Sequence, residues 1–392
     1  TYDEIIGELT SDNKCKIIRS EESPSSCDVN TQKIGNDQHD PIKLVPSIEQ
    51  QNILNALNTH NIIICDSCAG SGKTTTIKML AEKFVDKKIL VLTYNRRLKD
   101  QTKINITTDN IEIHTYHGFW TKYVRRDVYN DNTLRNSINN IPIKDIVYDI
   151  LIIDEFQDIS HLYWNVALNV IKFNTTKLYG MYIFGDKDQV LYSFRHGDEA
   201  SDKRFYDYIQ ILMKDNKLFP KGIESQFITP LQFCHSNLTT SYRLTNENAN
   251  FINCCFPINK TIISNGHSFK KPKYIKCNPY HVKSDLVGYI QQQLQTYSTD
   301  DIAILTYSTR CNSTSNTPTR ELANELSRFK IPIYYPDNED RMLDNTLIEG
   351  KIVFSTIHQF KGLERSVIII YGFDDSTLIF HHDRRINSQN IE

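Results

Sequence analysis

Short apolar runs recur along the chain at Ile62-Ile63-Ile64-Cys65, Ile89-Leu90-Val91-Leu92, Ile150-Leu151-Ile152-Ile153, Tyr182-Ile183-Phe184, Ile302-Ala303-Ile304-Leu305, Ile352-Val353-Phe354 and Val367-Ile368-Ile369-Ile370. A run of this length with no polar residue in it fits a strand buried on both faces, the usual state in a parallel sheet. Helical or polar stretches separate the runs. Ser47 is placed as the N-cap of a helix over Gln50 to Leu57, a second helix is expected over Thr75 to Phe84, and a third around Thr319 to Phe329. The alternation predicts an α/β fold with mostly parallel sheets covered on both faces. The runs fall into two groups, 62–184 and 302–370, so two domains are expected rather than one large sheet. Residues 1–45 are polar, with turn signals at Ser23-Pro24-Ser25-Ser26 and Gly35-Asn36-Asp37-Gln38, and read as a leader or linker. The first domain is expected over 46–235 and the second over 236–392.

Composition narrows the class. At 392 residues, with 39% hydrophobic and 23% charged residues, the chain is long enough for two well-filled cores. No run approaches the roughly 20 apolar residues that span a bilayer, so no membrane partner is expected. A net charge of -2 gives no basic field over the whole surface, and binding to nucleic acid would need a local groove. Nine cysteines, an odd number in a chain of this size, suggest a reducing compartment. Cys65 and Cys68 form a C-x-x-C pair without a second pair at zinc spacing and read as ordinary cysteines. The chain begins at Thr1 with no secretory signal, so an intracellular protein, nuclear or cytoplasmic, is expected, and the start reads as the boundary of a fragment.

The chemistry concentrates at Ser67-Cys68-Ala69-Gly70-Ser71-Gly72-Lys73-Thr74-Thr75, between an apolar strand and a helical stretch. That placement is what a phosphate-binding loop requires. Glycines let backbone N–H groups curl around a phosphate, the helix N-terminus adds its positive end, Lys73 reaches the β- and γ-phosphates, and Thr74 offers a hydroxyl to Mg²⁺. Ser67 stands where the loop pattern has its first glycine. ATP and Mg²⁺ are therefore the expected cofactors. A metal-holding carboxylate is expected on a neighbouring strand, and the Ile150–Ile153 run ends in Asp154-Glu155. Asp154 would hold Mg²⁺ and Glu155 would take a proton from the attacking water. His117 and His358 have an ordinary alternative as buried hydrogen-bonding residues, and Tyr242 as a core tyrosine.

Asp154-Glu155-Phe156-Gln157-Asp158 resembles the D-E-x-Q-D box of superfamily 1 helicases of the UvrD/Rep/PcrA type, and further motifs of that family appear in family order. Gln50 is similar to the glutamine that reads adenine. Leu92-Thr93-Tyr94-Asn95 resembles motif Ia, Thr115-Tyr116-His117-Gly118-Phe119 motif Ib, and the stretch from Gly185 through Gln189 to Arg195 motif III. Ser241-Tyr242-Arg243 resembles motif IV, and the stretch from Thr356 to Glu364 motif V. Among eukaryotic branches the F-box DNA helicases look nearest. The resemblance covers about 46 to 371 and implies two RecA-like domains, the second incomplete, with ATP in the cleft between them. It implies that Gln189 senses the γ-phosphate, that Arg243 acts as an arginine finger from the second domain, that Tyr242 stacks on adenine and that Glu364 holds the ribose. Phe194 would stack on bases of single-stranded DNA, with Tyr192 and Arg195 beside it. Tyr94, Asn95, Thr115, His117 and His358 would complete the DNA contacts.

The implied activity is that of an ATP-dependent DNA helicase, a single-stranded DNA translocase moving 3′ to 5′, acting on single-stranded and duplex DNA. The alternatives are the motor part of a helicase-nuclease and a DNA-dependent ATPase clamp that does not unwind. Motif VI, which should follow motif V, is not found before Glu392; a truncated second domain and weak hydrolysis by this chain alone are the expectations.

Overall fold

The computed structural model describes residues 5–9, 15–19, 45–94, 108–189, 219–256, 260–275, 285–309, 317–336, 343 and 345–372. It divides into two compact units, Thr1–Tyr274 and Ile275–Glu392. In the first unit β1 (Ile5–Leu9) and β2 (Cys15–Arg19) pair antiparallel, within the stretch whose composition predicts a polar leader. There follow α1 (Ile48–Ala56), β3 (Ile62–Ser67), α2 (Lys73–Lys83), β4 (Ile89–Thr93), β5 (Ile111–Thr115), α3 (Tyr116–Tyr123), α4 (Asp131–Ser137), β6 (Ile150–Ile153), α5 (His161–Phe173), β7 (Gly180–Gly185), β8 (Phe233–Leu238), β9 (Thr240–Ser241), α6 (Asn246–Cys255) and β10 (Ile263–Ser264).

Strands β3 to β8 form one sheet in the order β5-β4-β6-β7-β3-β8, parallel at every pairing. The apolar runs owe their form to this sheet. Ile62, Leu90, Leu151 and Met181 face one core together with Trp120, Phe119 and Trp164. Their neighbours Ile63, Val91, Ile152 and Tyr182 face the other, with Ile53, Ile77 and Leu80. Side chains alternate between faces along a strand, so burial of both faces erases the polar alternation in the sequence. The edge strands do not read this way. β5, Ile111-Glu112-Ile113-His114-Thr115, alternates, and β8 has Leu238 as its one fully buried residue.

The second unit holds α7 (Asp285–Gln293), β11 (Ile302–Thr306), α8 (Pro318–Arg328), β12 (Ile333–Tyr334), α9 (Asn345–Ile348), β13 (Ile352–Thr356), α10 (Ile357–Phe360) and β14 (Val367–Tyr371). Its sheet order is β12-β13-β11-β14, again all parallel. Phe354, Ile304, Leu322 and Ile290 are fully buried between this sheet and α7 and α8. The run at Val367–Ile370 differs from the doubly buried strand that its composition predicts. It lies at the sheet edge, and Ile368 and Ile370 are 42% and 64% exposed among the described residues.

The division between units falls after Tyr274, not at 235/236. Residue 236 lies in the middle of β8, which pairs with β3 along its whole length, so the chain cannot leave the first unit there. Beyond β8, Glu49 of α1 holds the turn into β9. It accepts from Thr239 N at 2.9 Å and Oγ1 at 2.5 Å, and from Thr240 N at 3.0 Å.

Trp120 is 1% exposed and its indole donates to Ser137 Oγ at 3.0 Å; Trp120→Ala should cost about 3–5 kcal/mol in urea unfolding. A cost below about 1 kcal/mol would contradict its place in the core. Burial alone would raise the Glu49 carboxyl, but the bonds from Thr239 and Thr240 more than offset it and hold it below its ordinary 4.5. A depressed acid binds its proton more weakly when folded, so its stabilisation is full above that value and fades as pH falls. The stability gap between the unsubstituted protein and Glu49→Gln should therefore narrow on acidification; a gap that widens would refute the assignment.

Candidate active site

β3 delivers the chain into the glycine loop. Ser67 ends the strand fully buried, and its Oγ donates to the Gly185 carbonyl at 2.7 Å, joining the start of the loop to the end of β7. The serine in place of glycine thus serves as a tie between strands. Gly70 and Gly72 take φ of +71° and +85°, the left-handed region that side chains disfavour. Gly72 is also the N-cap of α2, so Lys73, Thr74 and Thr75 form that helix's first turn. Ser71 Oγ is buried without a hydrogen-bond partner among the described residues. Left-handed glycines, an unpartnered buried hydroxyl and a helix start fit a phosphate group. Burial pushes the Cys65 thiol up and the Cys68 thiol up to about 11, which keeps both protonated at neutral pH.

The carboxylates do not come from a strand adjacent to β3, since β7 lies between β3 and β6. Glu155 reaches across because it leaves β6 in the left-handed conformation, φ +54°, with its amide donating to Asp154 Oδ1 at 2.9 Å. Strain of this sort, of order 1–3 kcal/mol, is characteristic of functional positions. Lys73 Nζ meets Glu155 Oε1 at 3.0 Å, with the lysine side chain 14% exposed. Burial alone would lower the Lys73 pKa; the charges of Glu155 and Asp154 more than offset it and raise it, so Lys73 stays an ammonium.

Gln157 extends the network. Its amide nitrogen donates to Glu155 Oε2 and its Oε1 accepts from Asp186 N at 2.9 Å. Asp186 Oδ2 accepts from Gln189 Nε2 at 2.8 Å, and its Oδ1 meets Lys260 Nζ at 2.8 Å. Burial pushes the Asp186 carboxyl up despite that ammonium. Asp66, Gln157 and Lys260 are members that the sequence motifs do not assign a role. Gln157 lies inside the D-E-x-Q-D box and was legible as part of it, whereas no spacing or periodicity marks Lys260.

Ser241, Tyr242 and Arg243 close the loop from the other side. Ser241 Oγ donates to Ala69 O at 2.7 Å and Tyr242 N to Gly70 O at 2.9 Å. A methyl group on Gly70 would collide with the Cβ of Arg243. Arg243 thus belongs to the first unit beside the loop, not to a second domain, because β8 and β9 carry it there. Tyr242 and Arg243 are exposed. Gln50 is 4% exposed, with its Oε1 accepting from Ser47 N at 2.9 Å and its Nε2 donating to Thr76 Oγ1 at 3.2 Å. The expected adenine reader is thus engaged on both ends of its amide with α1 and α2.

The expected DNA contacts that are described lie at the C-terminal ends of strands. Tyr94 follows β4 and packs edge-on against Tyr163 at 5.9 Å between centroids. Thr115 caps α3, accepting from Gly118 N at 3.1 Å, and His117 Nε2 lies 3.0 Å from Asp131 Oδ1. In the second unit Thr356 caps α10 in the same way, accepting from Gln359 N at 3.2 Å, and His358 follows two residues later. The two units thus repeat a strand, a capping threonine and a histidine in the next turn, a similarity too short to register as a sequence repeat. Glu364 is exposed in the second unit. Asn95, Tyr192, Phe194 and Arg195 lie outside the described residues.

Gly70→Ala is predicted to weaken binding of a fluorescent ATP analogue at least tenfold, since the added methyl drives Arg243 off the loop. Gly266→Ala, at φ +98° with open space around it, is the control for left-handed strain alone. Equal affinities for the two variants would show that the contact with Arg243 does not matter.

Comparison with known proteins agrees with these motifs. Residues 50–195 match the family model described as an AAA domain. Over 215 residues the chain is 27% identical to a probable DNA helicase II homolog of Mycoplasma capricolum subsp. capricolum, an alignment covering 53% of this chain and 25% of that protein. The chain thus spans about a quarter of the length of that curated relative. Among solved structures, Bacteroides sp Pif1 in complex with ADP-AlF4 is 16% identical, covering 68% of this chain and 55% of that one at a TM-score of 0.34. A double mutant of the Pif1 helicase from Bacteroides is 16% identical, covering 77% of this chain and 59% of that one, with a TM-score of 0.33. The ordered motifs and the two sequence matches make the chain similar to superfamily 1 helicases of the UvrD/Rep/PcrA type.

Proposed function

We propose that the protein is an ATP-driven motor on single-stranded DNA, a helicase that moves 3′ to 5′ and separates duplex strands as it advances. The supporting observation is that Lys73, Glu155 and the Ser241–Arg243 segment meet around one glycine loop, linked through Gln157 and Asp186 to Gln189. In this reading Lys73 leaves Glu155 for the β- and γ-phosphates of ATP, and the freed carboxylate accepts a proton from the attacking water. Arg243 supplies positive charge to the transferring phosphoryl group, Gln189 contacts the γ-phosphate and Tyr242 stacks on the adenine. Thr74 and Asp154 would hold Mg²⁺, with phosphate oxygens and water completing its shell, and the ion would neutralise charge developing on the phosphates. Glu364 would hold the ribose.

DNA would run across the C-terminal ends of the strands. Tyr94, Asn95, Thr115, His117 and His358 would contact phosphates and sugars, and Phe194, with Tyr192 and Arg195, would stack on bases. Stacking is tolerant of sequence and worth about 1–3 kcal/mol per base, which suits a motor that must pass any sequence. The domain assignment that goes with this reading is RecA-like domain 1 with motifs from Gln50 to Gln189, and RecA-like domain 2 with motif V. The protein would act in whichever compartment holds its DNA.

Lys73→Ala in the full-length protein is expected to reduce DNA-stimulated ATP hydrolysis at least a hundredfold, by loss of charge at the phosphates. Near-normal turnover would sink the assignment. In a strand-displacement assay on 3′- and 5′-tailed duplexes, displacement from the 3′-tailed substrate alone is expected. Hydrolysis without displacement from either would support a translocating or clamping ATPase instead.

A further inference from the structure

Lys260 follows α6 in the first unit, outside every motif, yet its side chain is only 9% exposed. Its Nζ lies 3.0 Å from Asp66 Oδ1, 2.8 Å from Asp186 Oδ1 and 3.6 Å from Asp188 Oδ2, and it donates to the Ser67 carbonyl at 2.5 Å. Asp66 and Ser67 end β3 at the mouth of the glycine loop, whereas Asp186 and Asp188 follow β7. One ammonium thus joins the ends of two adjacent strands. Burying a lysine among three carboxylates is costly unless the geometry repays it, and an arrangement of this kind fixes a unique register between the parts it joins. Asp186 divides its two oxygens, Oδ1 to Lys260 and Oδ2 to the Gln189 amide at 2.8 Å. The position of Gln189 therefore depends on where Lys260 holds the Asp186 carboxylate.

We infer that Lys260 is a positioning residue that sets the Gln189 amide for discrimination between a nucleoside triphosphate and a diphosphate. The inference rests on the proposed ATP reading, in which Gln189 contacts the γ-phosphate. Lys260 touches no nucleotide itself; it acts through Asp186. Its removal leaves Asp186 Oδ1 held by the Asp188 amide alone, at 3.1 Å, which loosens the carboxylate, lets the Gln189 side chain turn, and leaves the loop itself, with Lys73 and the helix start, in place to hold the β-phosphate. Such a role alters the preference between nucleotides, where a general structural role would weaken both together.

The test measures dissociation constants of fluorescent ADP and of a fluorescent non-hydrolysable ATP analogue for the full-length protein, Lys260→Met, Lys260→Arg and Gln189→Ala. For Lys260→Met the preference for the triphosphate should fall about tenfold, while ADP affinity stays within about twofold, and Lys260→Arg should restore most of the preference. Gln189→Ala should show the same loss, and the double substitution no more than either alone, because the two act in series. An unchanged preference in Lys260→Met, an equal fall for both nucleotides, or additive losses in the double variant would overturn the inference. A failure of the ATP reading is distinguishable: the unsubstituted protein would bind neither nucleotide, or Lys73→Ala would bind both as tightly.

Discussion

The Ser241 hydroxyl donates to the Ala69 carbonyl and the Tyr242 amide to the Gly70 carbonyl, fixing where the glycine loop stands against the rest of its unit. Hydrogen bonds of this kind contribute only about 1 kcal/mol each. Their importance is positional. A loop that must present its N–H groups to a phosphate directs its carbonyls the other way, and those carbonyls need partners when buried. The segment after β8 supplies them, and in doing so it brings Tyr242 and Arg243 to the edge of the glycine loop. Gly70 carries no side chain at the point of closest approach, where any Cβ would meet Arg243.

The remainder of the site is organised by charge. Lys73 and Lys260 are both half-buried ammonium groups, and both are kept protonated by carboxylates that more than offset the cost of burial. Lys73 is paired with Glu155, Lys260 with Asp66 and Asp186, and Gln157 joins the two sets through Glu155 and the Asp186 amide. Arrival of phosphate at Lys73 would draw the ammonium from Glu155, and that change can pass along Gln157 to the Asp186–Gln189 end. The bonds link β3, β6 and β7 at the ends where parallel strands of an α/β sheet open toward their ligands.

Much of the frame was legible because interior parallel strands leave a plain mark. Ile62–Cys65, Ile89–Leu92 and Ile150–Ile153 could be read as strands because both their faces are filled, and Ser47 as a cap because a serine before an amphipathic stretch has few other uses. β5 and β8 were not legible, since edge strands bear polar residues on one face and look like loops. The boundary set at 235/236 failed for that reason: Phe233–Leu238 carries histidine, serine and asparagine yet completes the first sheet. The glycine loop, Asp154 and Glu155 were legible from residue type and order. That Arg243 stands in the same unit as Lys73, and that Lys260 unites Asp66 with Asp186, depend on contacts between segments far apart in sequence.

The central claim is that the loop from Gly70 to Thr74 and the segment from Ser241 to Leu244 form one nucleotide-responsive structure. Hydrogen–deuterium exchange with and without a non-hydrolysable ATP analogue tests it most directly. The account predicts that the analogue slows exchange in the peptides holding both segments together, at the same nucleotide concentration. Slowing in the Gly70–Thr74 peptide with no change across Ser241–Leu244, or in neither, would contradict it.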